Sequence, residues 1–312
     1  MSMRNVLVIF VTMLLVLPVA IGCNGNQSES DDQAMKTHEA SKKETVNQKP
    51  KPMTMDRVGQ QVTIHMYTQQ TMVEIANGVK FPAWTFDGTV PGPVIYLKQG
   101  DHVTLTLHNL DPNMPHSVDF HSALVAPNKA FTDVPAGKSK TIHFNADVPG
   151  VFMYHCATSP MSLHIAQGMY GAIIVTPKGE AKPTFTIVQS EFYKPNDMKA
   201  LNSQPNVVAF NGKADQYVNH PLKVKVGEPI TVAFVNAGPN EFSAFHVVGT
   251  VLRDVQASGN PQNHLYNVQT YTVAPGDGAL IHLRFDQPGR YPFVSHDMQQ
   301  HQKGASGIFI VE

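Results

Sequence analysis

Pro135-Ala-Gly-Lys-Ser-Lys-Thr-Ile-His-Phe144, followed by Asp147-Val-Pro-Gly150, returns further along the chain as Pro275-Gly-Asp-Gly-Ala-Leu-Ile-His-Leu-Arg-Phe285, followed by Asp286-Gln-Pro-Gly289. In both copies a Pro/Gly turn feeds a short run of apolar residues that a second turn ends, the mark of a strand between turns. Each half then closes on glycine-rich sequence and an apolar strand, Met169-Tyr-Gly-Ala-Ile-Ile-Val175 and Gly304-Ala-Ser-Gly-Ile-Phe-Ile-Val311. A unit repeated at this distance predicts two tandem copies of one β-sandwich, joined near Lys178 to Pro183. The rest of the body agrees. Val103–Leu107, Ala172–Val175 and Ile230–Val235 alternate or run apolar, and Pro91-Gly-Pro93 is one more turn between such runs. No long amphipathic helix interrupts the pattern. The expected fold is all-β, with sandwich domains at 54–180 and 181–312.

The chain of 312 residues has room for two domains of roughly 100–150 residues each after a leader is removed. A formal net charge of −1 offers no basic face, so a nucleic-acid partner is not expected. Arg4, the apolar run Val6–Ile21 and Gly22-Cys23 read as a signal peptide over residues 1–22. Ala20-Ile21-Gly22 before Cys23 resembles a bacterial lipoprotein processing site, although Ala20 stands where leucine is usual. The expectation is an exported protein, periplasmic or held on the outer face of the cytoplasmic membrane by lipid on Cys23. One acyl chain binds a bilayer only marginally, so stable anchoring would need several. Residues 23–53 are rich in Ser, Gln, Asn, Lys and Glu and read as a flexible tether.

There are two cysteines, and Cys23 belongs to the leader, so the body has no disulfide framework and Cys156 is its single thiol. Cys156, His164 and Met169 are expected on one loop before a strand, with His116 supplied from upstream. A thiolate, two imidazoles and a weak thioether are the soft donor set of a blue-type copper site. Side-chain alternation adds a second place. In extended chain His155 faces away from Cys156, and Asp119 and His121 share a face that His116 does not. If His116 and Cys156 grip one copper, then His121, His155 and Asp119 converge elsewhere, on a site that lacks a thiol and needs one more ligand.

His116-x-x-Asp119-x-His121, Tyr154-His155-Cys156, His164, Gly168-Met169-Tyr-Gly-Ala-Ile, Phe245-His246-Val-Val-Gly249 and Val294-Ser-His296 together resemble the copper nitrite reductases, over roughly Thr54 to Glu312. The resemblance implies tandem cupredoxin-like Greek-key domains in a homotrimer that reduces nitrite to nitric oxide in denitrification. It implies one type 1 and one type 2 copper per subunit. His116, Cys156, His164 and Met169 correspond to the type 1 ligands, and His121, His155 and His296 to the type 2 ligands, His296 serving the site of a neighbouring subunit. Asp119 and His246 correspond to the catalytic pair that handles protons, and a small redox protein, a cytochrome c or a cupredoxin, to the electron donor. The loop containing Thr158-Ser-Pro-Met161 is a residue shorter than in many relatives, and the sequence stops at Glu312, where many carry a tail that clasps the next subunit.

Two other functions share parts of this pattern. A laccase-like multicopper oxidase has the same domains and a sequence like Phe86-Asp-Gly-Thr-Val-Pro-Gly-Pro93, but its three-copper cluster needs His-x-His pairs, and none occurs here. A non-enzymatic cupredoxin electron carrier needs only the type 1 set and leaves His121, His155 and His296 without a role. His102, His108, His143 and His282 alternate with apolar residues and are expected to be solvated or structural.

Overall fold

The computed structural model describes residues 50–312. The signal segment, Cys23 and all but the last residues of the expected tether lie outside the described residues.

The first sandwich contains β1 (Thr54–Val58), β2 (Gln61–Ala76), β3 (Val79–Phe86), β4 (Ile95–Lys98), β5 (His102–Asn109), β6 (Asp119–Phe120), β7 (Ser139–Asn145), β8 (Gly150–His155) and β9 (Tyr170–Thr176). The second contains β10 (Phe185–Phe192), β11 (Val207–Phe210), β12 (His220–Val224), β13 (Pro229–Asn236), β14 (Ser243–Val247), β15 (Leu252–Ala257), β16 (His264–Val268), β17 (Thr270–Val273), β18 (Gly278–Arg284), β19 (Gly289–Ser295) and β20 (Ser306–Val311). The α-helices are short: α1 (Pro127–Ala130), α2 (Met161–Ala166), α3 (Gln216–Asn219) and α4 (Met298–Gln302). In the first sandwich a sheet ordered β1-β2-β5-β7, with β3 also on β2, faces the sheet β4-β9-β8-β6. In the second, β11-β10-β13-β18-β15-β16 faces β12-β20-β19-β14-β17.

The repeat reappears as pairing. β2 runs parallel to β5 as β10 does to β13, and β4 runs parallel to β9 as β12 does to β20. The repeated stretches become β7 and β18, which pair antiparallel with β5 and β13.

Burial follows the sequence pattern. β5, His-Val-Thr-Leu-Thr-Leu-His-Asn, buries alternate residues because one face meets the core and the other solvent. β9, Tyr-Gly-Ala-Ile-Ile-Val-Thr, is buried at every position. Its Ile173 and Val175 fill the first core, while Tyr170, Ala172 and Ile174 join Val151, Met153 and Ile165 against Val188, Ala233, Val235 and Ala237 of the second sandwich. Burying a Val or Ile side chain contributes about 1.5–3 kcal/mol, so this apolar seam holds the two sandwiches in a set orientation.

Two local expectations need correction. The stretch from Cys156 to Met169 is not all loop, because α2 carries His164 within it. The stretch from His116 to His121 is extended only in part. β6 covers Asp119–Phe120, while His116 is held by a single bridge to Val134, and Cys156 lies just beyond the end of β8.

Candidate metal centres

The thiolate centre is assembled by backbone hydrogen bonds from three separate places. The His116 amide donates to the Val134 carbonyl at 3.1 Å. The Cys156 amide donates to the Met169 carbonyl, and the Met169 amide to the His164 carbonyl, each at 3.1 Å. Cys156 Sγ then lies 3.3 Å from His164 Nδ1 and 4.0 Å from His116 Nδ1, and the two Nδ1 atoms are 3.3 Å apart. His116, Cys156, His164 and Met169 are all buried. Beyond the cluster, His116 Nε2 faces Asp111 Oδ2 at 3.3 Å, so this nitrogen carries a proton and Nδ1 is the atom turned inward, where a metal would take the place of any proton on it. The Ser117 amide donates to Cys156 Sγ at 3.4 Å.

Burial opposes charge on His116, but its hydrogen bonds to Asp111 and Cys156 push it up to about 9. Burial likewise opposes a Cys156 thiolate, yet the charge of His164 and hydrogen bonds from His116 and His164 hold the thiol well below its ordinary range. A buried thiolate facing two imidazole nitrogens suits a soft cation, copper being the first-row metal such a set favours.

The imidazole centre lies on the other side of the same chain segment. Asp119 and His155 are directly paired between β6 and β8, and the His121 amide donates to the Met153 carbonyl at 3.1 Å. His121 Nδ1 donates to the Gly276 carbonyl and His155 Nδ1 to the Cys156 carbonyl, both at 3.0 Å. A carbonyl can only accept, so each ring carries its proton on Nδ1 and a lone pair on Nε2. Those two Nε2 atoms are 3.0 Å apart. Two lone pairs at that separation repel unless a cation lies between them, and this arrangement fits a metal ion. Asp119 Oδ2 is 4.0 Å from His155 Nε2. His155 is buried whereas His121 is exposed, so the centre opens to solvent on one side. Burial, and then the neighbouring His155, lower the pKa of His121.

His246 and His296 meet in the second sandwich, ring centroids 5.2 Å apart at 85°. They flank each other because β14 pairs with β19 and the His296 amide donates to the Ala244 carbonyl at 2.7 Å. Among the described residues, the group able to hold a metal beside His121 and His155 includes Asp119 and not His296.

Two family models, both described as "Multicopper oxidase", match residues 67–180 and 189–312. The copper-containing nitrite reductase of Neisseria meningitidis serogroup A is 38% identical over 270 residues, covering 80% of this chain and 69% of the relative. This chain belongs to the copper-containing nitrite reductase family. The solved copper nitrite reductase from Nitrosomonas europaea superposes with a TM-score of 0.77 at 38% identity, over 81% of this chain and 94% of that one. A multicopper oxidase structure also superposes, with a TM-score of 0.75 over 83% of this chain and 93% of that one, but at 24% identity the likeness is one of fold.

For this copper nitrite reductase family member, the sequence reading missed the residues that hold the candidate ligands in place. Asp111 and Ser117 act on His116 and Cys156. The Gly276 carbonyl reaches His121 from the second sandwich. Gln300 joins Ser295, next to His296, to Gln189 through hydrogen bonds of 2.8 and 2.9 Å in a buried network. The only signal for Asp111 and Ser117 was nearness to His116 in the chain; for Gly276 and Gln300 there was none.

Proposed function

We propose that the chain reduces nitrite by one electron to nitric oxide and water, with two protons consumed, using one type 1 and one type 2 copper per subunit. In this reading His116, Cys156, His164 and Met169 hold the type 1 copper. His121, His155 and, across a homotrimer interface, His296 of the partner subunit hold the type 2 copper. One observation carries it: the consecutive residues His155 and Cys156 belong to two different metal-competent groups, one open to solvent and one sealed. When bound, copper supplies one-electron redox chemistry at the thiolate centre and Lewis-acid polarisation of nitrite at the imidazole centre.

The chain's own residues do the rest. The covalent link between Cys156 and His155 is the route for the electron. Burial of Cys156 keeps water from the thiolate, while exposure of His121 admits a small anion. Asp119, on the open side with Oδ2 4.0 Å from His155 Nε2, is one proton carrier. His246 Nδ1 is tied to the Gln269 carbonyl at 2.6 Å, which leaves Nε2 as the nitrogen that can exchange a proton. An exported chain lipidated at Cys23 would meet a cytochrome c or a small cupredoxin as donor. A non-enzymatic carrier would leave the His121/His155 pair without a role, and a laccase-like oxidase would need His-x-His pairs.

Anaerobic turnover of nitrite with a reduced artificial donor, alongside copper counting, tests the reading. Wild-type protein is expected to release nitric oxide, contain two coppers per chain and show an intense visible band that Cys156→Ser abolishes. Colourless copper-loaded wild type, or no nitric oxide from it, would overturn the assignment.

A further inference from the structure

Besides the two centres, a third pair of imidazoles meets nitrogen to nitrogen in this protein. His65 on β2 and His108 on β5 point outward from neighbouring parallel strands of the first sandwich, where His65 is aligned with Thr106 and Tyr67 with His108. His65 Nδ1 and His108 Nε2 are 3.1 Å apart, against 3.3 and 3.0 Å for the imidazole pairs of the two centres. Ring centroids are 5.3 Å apart, against 5.2 and 5.0 Å there. The pair is also braced from outside, as metal-binding imidazoles are. His108 Nδ1 lies 2.8 Å from Ser139 Oγ, and its ring stacks on Tyr67 at 4.8 Å and 15°.

We propose that His65 and His108 form a third, exchangeable site for a divalent transition-metal ion, separate from the two centres. Two imidazoles select borderline cations such as Cu²⁺, Ni²⁺ or Zn²⁺ over hard ones, and water fills the remaining positions because both rings are partly exposed. With His108 Nδ1 donating to Ser139, its Nε2 keeps a lone pair. The ion replaces the hydrogen bond between the rings, and the His65 proton moves from Nδ1 to that ring's other nitrogen, so no proton is lost overall. Burial, His65 and Lys51 lower the pKa of His108, which favours the neutral ring that metal binding requires. Lys51 works against the ion as well, since its ammonium lies 4.2 Å from the Tyr67 ring centroid.

The probe is Cu²⁺–iminodiacetate, a chelate with free positions for two imidazoles, titrated calorimetrically into full-length protein already saturated with copper and desalted. The expected result is one further chelate per chain, lost in His65→Ala and in His108→Ala. Ser139→Ala should weaken binding about tenfold, as loss of an outer partner does, and Lys51→Gln should tighten it. His65→Gln replaces His65→Ala if the latter loses its resident copper. No saturable uptake by wild type, or uptake unchanged in the histidine variants, would overturn the proposal.

Discussion

Asp119 is the residue whose role is most open to a single substitution. Its carboxyl group is 4.0 Å from His155 Nε2 and part-exposed, near enough to share a proton with a small anion held at the imidazole centre. Asp119→Asn preserves shape but cannot carry the proton. It should keep both coppers and the visible band while turnover falls by about 10²–10⁴-fold, the usual range for general acid–base catalysis. His246→Asn should give a related loss, and the double variant should fall little further if both serve one relay. Asp119→Asn activity within a factor of about two of wild type, with full copper, would remove Asp119 from the mechanism. Asp87 poses a different question. Burial pushes its carboxyl up to about 7 from an ordinary 3.8, against the Tyr67 amide that donates to Oδ1 at 2.9 Å. The folded chain therefore binds more protons than the unfolded chain between those values, so the contribution to stability is full below the lower one and drains away as pH rises to the upper. Asp87→Asn, tolerated at a φ of 58°, should flatten that slope. Urea midpoints of the two proteins compared at acid and neutral pH should diverge, and parallel profiles would refute the assignment.

Among the elements, the turn after β17 matters more to the imidazole centre than its distance in sequence suggests. Gly276 has a φ of +82°, and a Cβ there would lie 3.3 Å from His121 Cε1. Valine combines a disfavoured left-handed backbone with a clash against the ring whose Nδ1 proton that turn accepts. Gly276→Val should lose copper from the imidazole centre while the thiolate-to-copper band survives, which copper counting and visible absorption together would reveal. Full copper and unchanged turnover would show that the turn does not position His121. The helix α2 has the complementary task. It places His164 eight residues after Cys156 yet brings Nδ1 to 3.3 Å from Sγ.

At the scale of the molecule, His121 and His155 gather with Asp119 and not with His296 of the same chain, so a complete type 2 ligand set calls on two chains if His296 is a ligand. Coexpressed His121→Ala and His296→Ala chains should then recover nitrite turnover that neither has alone, because some interfaces in the mixed trimer join intact halves. Recovery no greater than in either parent would count against a shared site. The seam of Val151, Ile174, Val188, Ala233 and Val235 sets how the two sandwiches of one chain face each other, and with it where His296 stands relative to His121 and His155.

The amino-acid sequence alone determined the all-β tandem architecture. Turn residues and strand periodicity are local properties, and the second copy of Pro135–Gly150 at Pro275–Gly289 repeats them. It also determined the donor chemistry, because one thiol, the imidazoles around it and their alternation along the chain are matters of residue type and spacing. The division of His155 from Cys156 was legible for that reason, even though His116 and Cys156 turned out to lie outside regular strands. Only the tertiary structure decided which nitrogen of each ring faces inward, since that depends on Asp111 and on the Gly276 and Cys156 carbonyls. It also decided that His246 and His296 stand together, and that β9 is buried on both faces. Contacts between residues far apart in sequence leave no period and no spacing to read; they exist only once the two sandwiches have packed.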